Sequence, residues 1–300
     1  MKGKAVITGG AGLIGKALAH FLKNEGYKVI VLTRNIPEDK IENIEYIIWN
    51  YREPGEWIKS LEGSEAVINL AGKNLASGRW NSETRKAIRE SRVNLTQNLV
   101  EYFESLTVKP SYFISASAVG YYGNPPNPVD ENSPRGNGFL AELTAEWEKS
   151  ALAAEQLGVR TACLRFGAVL STEGGALPKI IKPIKYFAGA VPGSGKQYFP
   201  WIHIDDAVRM IDFLIQKKSE GIFNAVSPHT IRIEDLIKTA GEILRRPVIF
   251  RIPEFLIRAL LGEASEIILN GAAVKPARII SEGYDFEYSD IRQALENLLK

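Results

Sequence analysis

A chain of 300 residues, 45% hydrophobic and 24% charged, has the ordinary balance of a folded globular protein. A chain of this size can bury roughly 75% of its unfolded surface, so it needs no disulfide or metal staple. The 37 basic and 35 acidic residues leave a net charge of +2, which excludes the one-sided charge of nucleic-acid and membrane-surface proteins; neither partner is expected.

Residues 5–8 (AVIT) read as a short buried strand. Lys2 and Lys4 ahead of an uncharged run to Gly15 imitate a signal peptide, but four glycines in eleven residues make a poor apolar helix. The run is better read as a turn, TGGAGLIG over residues 8–15. Gly9, Gly12 and Gly15 stand three apart, between the strand and a helical pattern at 13–25. In that context the spacing predicts a dinucleotide-binding turn. Gly9 permits the tight turn, Gly12 lets the backbone approach a pyrophosphate, and Gly15 lets the helix pack on the sheet. Leu13 and Ile14 open the helix, whose free N–H groups and dipole face the phosphates. The alternative is a structural glycine turn without a nucleotide.

A second strand at 28–33 (KVIVLT) ends in Thr33 and Arg34. An NAD enzyme usually carries Asp or Glu there for the ribose hydroxyls. Here the first acid is Glu38, and an arginine suits a 2′-phosphate. NADP is therefore the expected cofactor, against the alternative that Arg34 only faces water. Further strands at 46–49 (YIIW) and 66–70 (AVINL) flank a weak short helix at 56–61. The second of them runs into NLAG, placing Leu70, Ala71 and Gly72 beside the cofactor, where bulkier groups would block it. Next, a helical pattern over 81–106 aligns Arg85, Arg89 and Arg92 on one face. One of them, best Arg92, can reach the adenosine phosphate; alternatively Arg85 and Arg89 belong to a solvated face paired with Glu83 and Glu90.

Strands at 112–115 (YFIS) and 161–165 (TACLR) enclose a helical pattern at 139–157. Cys163 is the only cysteine, and His20, His203 and His229 stand far apart. No disulfide or metal site is expected, and the composition suits a reducing cytoplasm. After Gly167, glycine and proline cluster and the alternation breaks. A short strand around Trp201 and His203 precedes Asp205 or Asp206 as the N-cap of a helix at 205–217. Histidine as a residue type ordinarily titrates near neutrality, so His203 is a candidate for the substrate pocket, together with Trp201 and Gln197. Alternatively His203 is a hydrogen-bonded structural residue. A strand at 222–226, a helix at 233–244 and apolar helical runs at 255–261 and 264–269 follow. No stretch of 18 apolar residues suggests a membrane span. The expected fold is α/β, a Rossmann doubly wound parallel sheet with a smaller, mostly helical C-terminal substrate/cap domain. The nucleotide domain covers 1–170 and the cap 171–300, with about 197–226 returning to the Rossmann domain.

Longer motifs carry a resemblance. TGGAGLIG, NLAG and ISASAV (114–119) resemble the extended short-chain dehydrogenase/reductase superfamily. GRWN (78–81), SAVGYYG (117–123), LRFGAVLS (164–171), GGAL (174–177), GSGKQYFPWIHIDD (193–206) and GEASEIILNGAAVKPARI (262–279) narrow it. In this order they resemble the epimerase-like, SulA-type family with a C-terminal domain of unassigned function, which here spans 248–297. The resemblance implies a Rossmann domain that binds NADP and a small-molecule substrate, without naming a reaction.

It also exposes a departure. Members usually pair a serine with a tyrosine and a lysine four residues after it. Ser117 matches the serine, but the tyrosine and lysine positions fall on Phe139 and Leu143. No tyrosine in the chain has a lysine four residues on; Tyr288 has Arg292, which stays protonated. The remaining proton carriers are Tyr121 and Tyr122 after the fifth strand, and more weakly Glu142. Three functions follow: an NADP-dependent oxidoreductase with a degenerate relay, a nucleotide-sugar-type epimerase or dehydratase, or a non-catalytic NADP(H) sensor.

Overall fold

Short β-branched runs, apolar on both faces, build the centre of the molecule. The structure, a computed structural model, describes residues 2–75 and 78–300. Six strands come first: β1 (Lys4–Thr8), β2 (Lys28–Thr33), β3 (Glu45–Ile48), β4 (Ala66–Asn69), β5 (Tyr112–Ala118) and β6 (Arg160–Phe166). Then come β7 (Ala168–Leu170), β8 (Gly189–Pro192), β9 (Trp201–His203), β10 (Gly221–Ala225) and β11 (Val248–Ile252). Seven of them form one parallel sheet in the order β3-β2-β1-β4-β5-β6-β10. This is the Rossmann order with a seventh strand on the far edge.

Helices α1 (Leu13–Asn24), α2 (Ile58–Leu61), α3 (Ser82–Arg89), α4 (Leu95–Glu104) and α5 (Phe139–Leu152) belong to the first half. Helices α6 (Leu177–Lys185), α7 (Ile204–Lys217) and α8 (Ile233–Leu244) follow. The last are α9 (Glu254–Leu261), α10 (Glu266–Leu269), α11 (Ala277–Ser281) and α12 (Ile291–Leu299). Alternate strand residues serve the two faces of the sheet. Ala5, Ile7, Val31, Ile68 and Ile114 pack with Leu18 and Leu22 of α1 and Met210 and Leu214 of α7. On the other face, Val6, Leu32, Val67 and Phe113 meet Leu99 and Phe103 of α4 and Ala151 of α5. Each such aliphatic or aromatic side chain contributes roughly 1.5–3 kcal/mol by leaving water.

Two stretches differ from the sequence expectation. The single helix expected over 81–106 is split: α3 ends, a π-helical turn occupies Glu90–Asn94, and α4 continues. The glycine- and proline-rich stretch after Gly167 contains a full helix, α6, with Pro178 in its first turn, where no backbone donor is required.

A second core gathers Leu177 and Ile181 of α6, Leu236 and Ile237 of α8, Ala294 and Leu295 of α12, and Trp201. β8 and β11 form a two-stranded parallel sheet beside it. Residues 272–288 then return to the Rossmann sheet. Val129 N–H donates to the Ala273 carbonyl at 2.9 Å, and Lys275 N–H donates to that of Val129 at 2.8 Å. The Arg278 guanidinium donates to the carbonyls of Ile222 and Glu220, both at 2.9 Å, along the edge strand β10. Among the described residues no helix is long and apolar enough to cross a membrane.

Candidate functional site

The strand order reverses between β1 and β4, so a crevice opens at their carboxyl ends. Gly9 follows β1 with φ +69°, and a Cβ there would lie 2.7 Å from the Leu70 carbonyl. Only glycine lets the β1 turn and the NLAG segment approach so closely. A Cβ on Gly15 would lie 2.4 Å from the Gly9 carbonyl oxygen, so α1 packs tightly on its own entry turn. Gly12 is different. It is the N-cap of α1, and a Cβ there would meet only the Gly9 oxygen, at 3.2 Å. Its open side faces the crevice. The first turn of α1 has no acidic side chain, and the N–H groups of Leu13, Ile14 and Gly15 have no intrahelical acceptor. A diphosphate fits this cradle. The GGAL motif forms a further wall, because Gly174 and Gly175 lie against the Leu13 side chain.

At the end of β2, Thr33 is buried and its hydroxyl donates to the Asn35 carbonyl at 2.7 Å. That bond turns the chain and leaves Arg34 exposed, with no hydrogen-bond or ion-pair partner among the described residues. Lys16, in the first turns of α1, is by contrast ion-paired with Asp39. Arg92 lies elsewhere, in the π-helical turn. Its guanidinium lies against Gly72, donates to the Lys73 carbonyl at 2.9 Å and sits over the Trp147 ring. Burial lowers its pKa to about 10. Arg92 therefore braces the Gly72–Lys73 segment from beneath, beside β4 rather than β2. Asn69 braces the same segment from the strand. It accepts from Thr8 Oγ1 at 2.7 Å and donates to Thr96 Oγ1 at 2.8 Å.

The catalytic candidates Ser117 and Tyr122 meet in one buried network. Ser117 Oγ donates to Glu148 Oε1 at 2.5 Å. Arg165 grips both oxygens of Glu148, Nε to Oε1 at 2.7 Å and Nη2 to Oε2 at 2.8 Å. Its Nη1 donates to Tyr122 Oη at 2.8 Å, and Tyr122 donates in turn to Asn224 Oδ1 at 2.8 Å. Glu148 and Arg165 are 4% and 1% exposed, so the charges are paired away from water. Burial pushes the Tyr122 phenol up to about 12, against the pull of Arg165. Its hydroxyl and that of Ser117 are both committed to protein partners. Tyr121 is half-buried, with its ring 3.4 Å from the Arg165 guanidinium carbon. It lines an open depression of about 430 Å³ on the flank of α5, beside Glu148 and Lys149. Glu148, Arg165 and Asn224 are not among the site residues expected from the sequence and emerge only in the structure. For Arg165 in β6 and Asn224 in β10 the available signal was a charged or amide side chain inside an otherwise apolar strand, where burial demands a partner; Glu148, on helix α5, carries no such local signal.

Phe139, at the usual tyrosine position, is enclosed. Trp80 of the GRWN motif packs edge-on against it at 5.5 Å, and the Arg85 guanidinium lies over its ring at 4.9 Å. Glu263, from the GEAS segment, is ion-paired with Arg85. Two motifs far apart in the chain thus meet over Phe139.

The substrate-pocket candidates are packed or hydrogen-bonded within the protein. Trp201 is buried in the second core, and Gln197 donates to the carbonyls of Pro192 at 3.1 Å and Ile268 at 3.0 Å. His203 is 1% exposed and stacks on Tyr288 at 3.9 Å. It caps α7 itself: Asp205 N–H donates to His203 Nδ1 at 3.1 Å. The expected caps, Asp205 and Asp206, lie inside the first turn because the helix starts at Ile204. Asp206 is fully buried, accepting from the N–H groups of Glu287 and Tyr288, both at 2.9 Å, and from Tyr284 Oη at 3.2 Å. It clamps the C-terminal segment to α7. Among the described residues no group of three metal-ligating side chains occurs.

Sheet order, glycine cradle and crevice define a Rossmann-fold protein of the extended short-chain dehydrogenase/reductase kind. Residues 5–225 match the model of the NAD dependent epimerase/dehydratase family, and residues 252–298 match a domain of unknown function, DUF1731. The chain belongs to the NAD dependent epimerase/dehydratase family. It is 37% identical to the chloroplastic epimerase family protein SDR39U1 homolog of Arabidopsis thaliana, over 98% of this chain and 86% of that protein. Epimerase family protein YfhF of Bacillus subtilis is 34% identical, over 98% and 97%. Among solved structures, human epimerase family protein SDR39U1 with NADPH superposes with a TM-score of 0.87 at 28% identity, over 98% of each chain. MoeE5 in complex with UDP-glucuronic acid and NAD shares the fold, with a TM-score of 0.81 at 19% identity.

Proposed function

We propose that this protein binds NADP(H) in the β1–α1/β4 crevice and is an oxidoreductase-like member of its family, acting on a small molecule without the Tyr-x-x-x-Lys relay. Gly9, Gly12, Leu13, Ile14 and Gly15 hold the diphosphate through backbone N–H groups and the α1 dipole. Leu70, Ala71 and Gly72 flank the cofactor on the β4 side, with Arg92 bracing them. Thr33 shapes the turn that presents Arg34 to the 2′-phosphate. The observation that carries the proposal is the unpaired Arg34 at the end of β2, beside a glycine cradle whose one open Cβ direction is at Gly12. The NADPH in the human relative's structure supports it. When bound, the nicotinamide supplies hydride transfer. This chain's residues bind and orient it.

The test is titration of the protein with NADPH and with NADH. A charge-assisted contact contributes about 1.5–3 kcal/mol, so Arg34→Ala should weaken NADPH binding roughly tenfold to a hundredfold and leave NADH nearly unchanged. Equal affinity for both nucleotides, untouched by the substitution, overturns the proposal.

A second function, nucleotide binding without turnover, is favoured by the commitment of Ser117 and Tyr122 to the Glu148–Arg165 pair. Tyr121 is then the remaining tyrosine for proton transfer. An epimerase or dehydratase needs a base after substrate oxidation, and Phe139 supplies none. NADPH oxidation across a panel of carbonyl compounds separates turnover from simple binding, and Tyr121→Phe tests the remaining proton carrier.

A further inference from the structure

Ten of the fourteen exposed large hydrophobic side chains among the described residues fall between positions 186 and 268. Tyr186 and Phe187 stand at the tip after α6. β11 pairs with β8 on one side only, and its Ile249 and Phe250 are 72% and 52% exposed. Just after Pro253, α9 is held by Ile257 while Phe255 and Leu260 face outward. These pieces adjoin: Val248 lies beside Gly189, and the Arg246 guanidinium covers the Phe187 ring at 4.4 Å. An apolar surface of this kind signals a partner.

The unpaired charge around it is positive; the one acid on α9, Glu254, is ion-paired with Arg258. No acidic residue occurs between Glu173 and Asp205, or between Glu242 and Glu254. Lys179, Lys182 and Lys185 repeat along the exposed side of α6, and Arg245 and Arg246 follow α8. None of these five has an ion-pair partner among the described residues. Arg251 is neutralised by Glu234. The whole-chain charge of +2 therefore conceals a basic, apolar face.

From this juxtaposition we infer that the α6–β11–α9 face docks on an anionic lipid surface. Lysines and arginines meet the headgroups while Phe187, Ile249 and Phe250 enter the acyl boundary. Unpaired positive charge selects an acidic partner and opposes self-association of two such faces. Protruding aliphatic side chains gain from hydrocarbon, which a nucleic-acid surface does not offer. The free edge of β11 is the one feature that a second copy of the chain could use.

Co-sedimentation of the full chain with phosphatidylcholine vesicles, with and without phosphatidylglycerol, is the test. Binding should require the anionic lipid and weaken as salt rises. Lys182→Ala and Lys185→Ala should each weaken it about fivefold, and Phe250→Asp by about tenfold or more. These positions are exposed, so NADPH affinity and thermal midpoint should stay unchanged, which separates lost docking from lost folding. Absence of binding to anionic vesicles overturns the inference, as does binding that ignores all three substitutions. Two other results also overturn it: a solution dimer dissolved by Phe250→Asp, and binding of double-stranded DNA or RNA without lipid binding.

Discussion

Replacing Glu148 with leucine removes one half of the ion pair at the centre of the molecule. Glu148 and Arg165 are 4% and 1% exposed, and the guanidinium holds both carboxylate oxygens. Without the carboxylate, Arg165 keeps its charge in a site that excludes water, and Ser117 Oγ loses its acceptor. Breaking such a buried pair from one side costs about 3–5 kcal/mol. At roughly 2 °C per kcal/mol for a large domain, the thermal midpoint should fall by about 6–10 °C. Removing both charges, as in Glu148→Leu with Arg165→Met, should recover most of that loss, because no lone charge remains. Urea denaturation of the two single variants and the double variant measures the coupling. NADPH affinity should be nearly unchanged throughout, since the network lies beneath β5 and β6 and outside the glycine cradle. A loss under about 1 kcal/mol for Glu148→Leu would refute the burial argument. A stable variant that no longer binds NADPH would place the network in the binding site instead.

Gly12→Val should abolish nucleotide binding while the protein stays folded, because the added side chain points into the crevice and meets only the Gly9 oxygen; retained NADPH binding would show that the diphosphate lies elsewhere. Asp206→Ala strands the N–H groups of Glu287 and Tyr288, the buried Tyr288 donor alone costing about 1–3 kcal/mol. Amide exchange over 284–290 should accelerate, and unchanged protection there would refute the clamp. Burial lowers the His203 pKa below its ordinary 6.5, with Asp205 and Asp206 opposing the shift. The folded state thus binds fewer protons than the unfolded state in the window just below 6.5. Its contribution to stability is complete above that pH and is lost as pH falls through the depressed folded value. His203→Asn keeps an N-cap acceptor and removes the titration, so it should flatten urea stability against pH in that window. An unaltered slope would exclude His203 as its source.

Much of this protein was legible from local pattern. Strand alternation, the glycine spacing after β1 and the place of Arg34 depend on neighbours within a few residues, and the structure has the expected β1, β2, α1 and α8 almost to the residue. Local pattern could not show that α3 and α4 are separated by a π-helical turn, because the apolar spacing continues through it. Nor could it assign His203, whose cap on α7 and stack on Tyr288 depend on a segment 85 positions later.

Backbone requirements and burial periodicity are written along the chain, so the Rossmann sheet and the tight glycine turn after β1 followed from sequence alone. Partnership between charges is written only in space. Folding joined Glu148 to Arg165 and tied the hydroxyls of Ser117 and Tyr122 to that pair, because a buried charge must find its counterion wherever the fold supplies one. The same folding drew the lysines of α6 beside the apolar strand β11 and hid that asymmetry inside a nearly neutral total. Net charge is a sum over residues, whereas a surface is defined by which of them share a face.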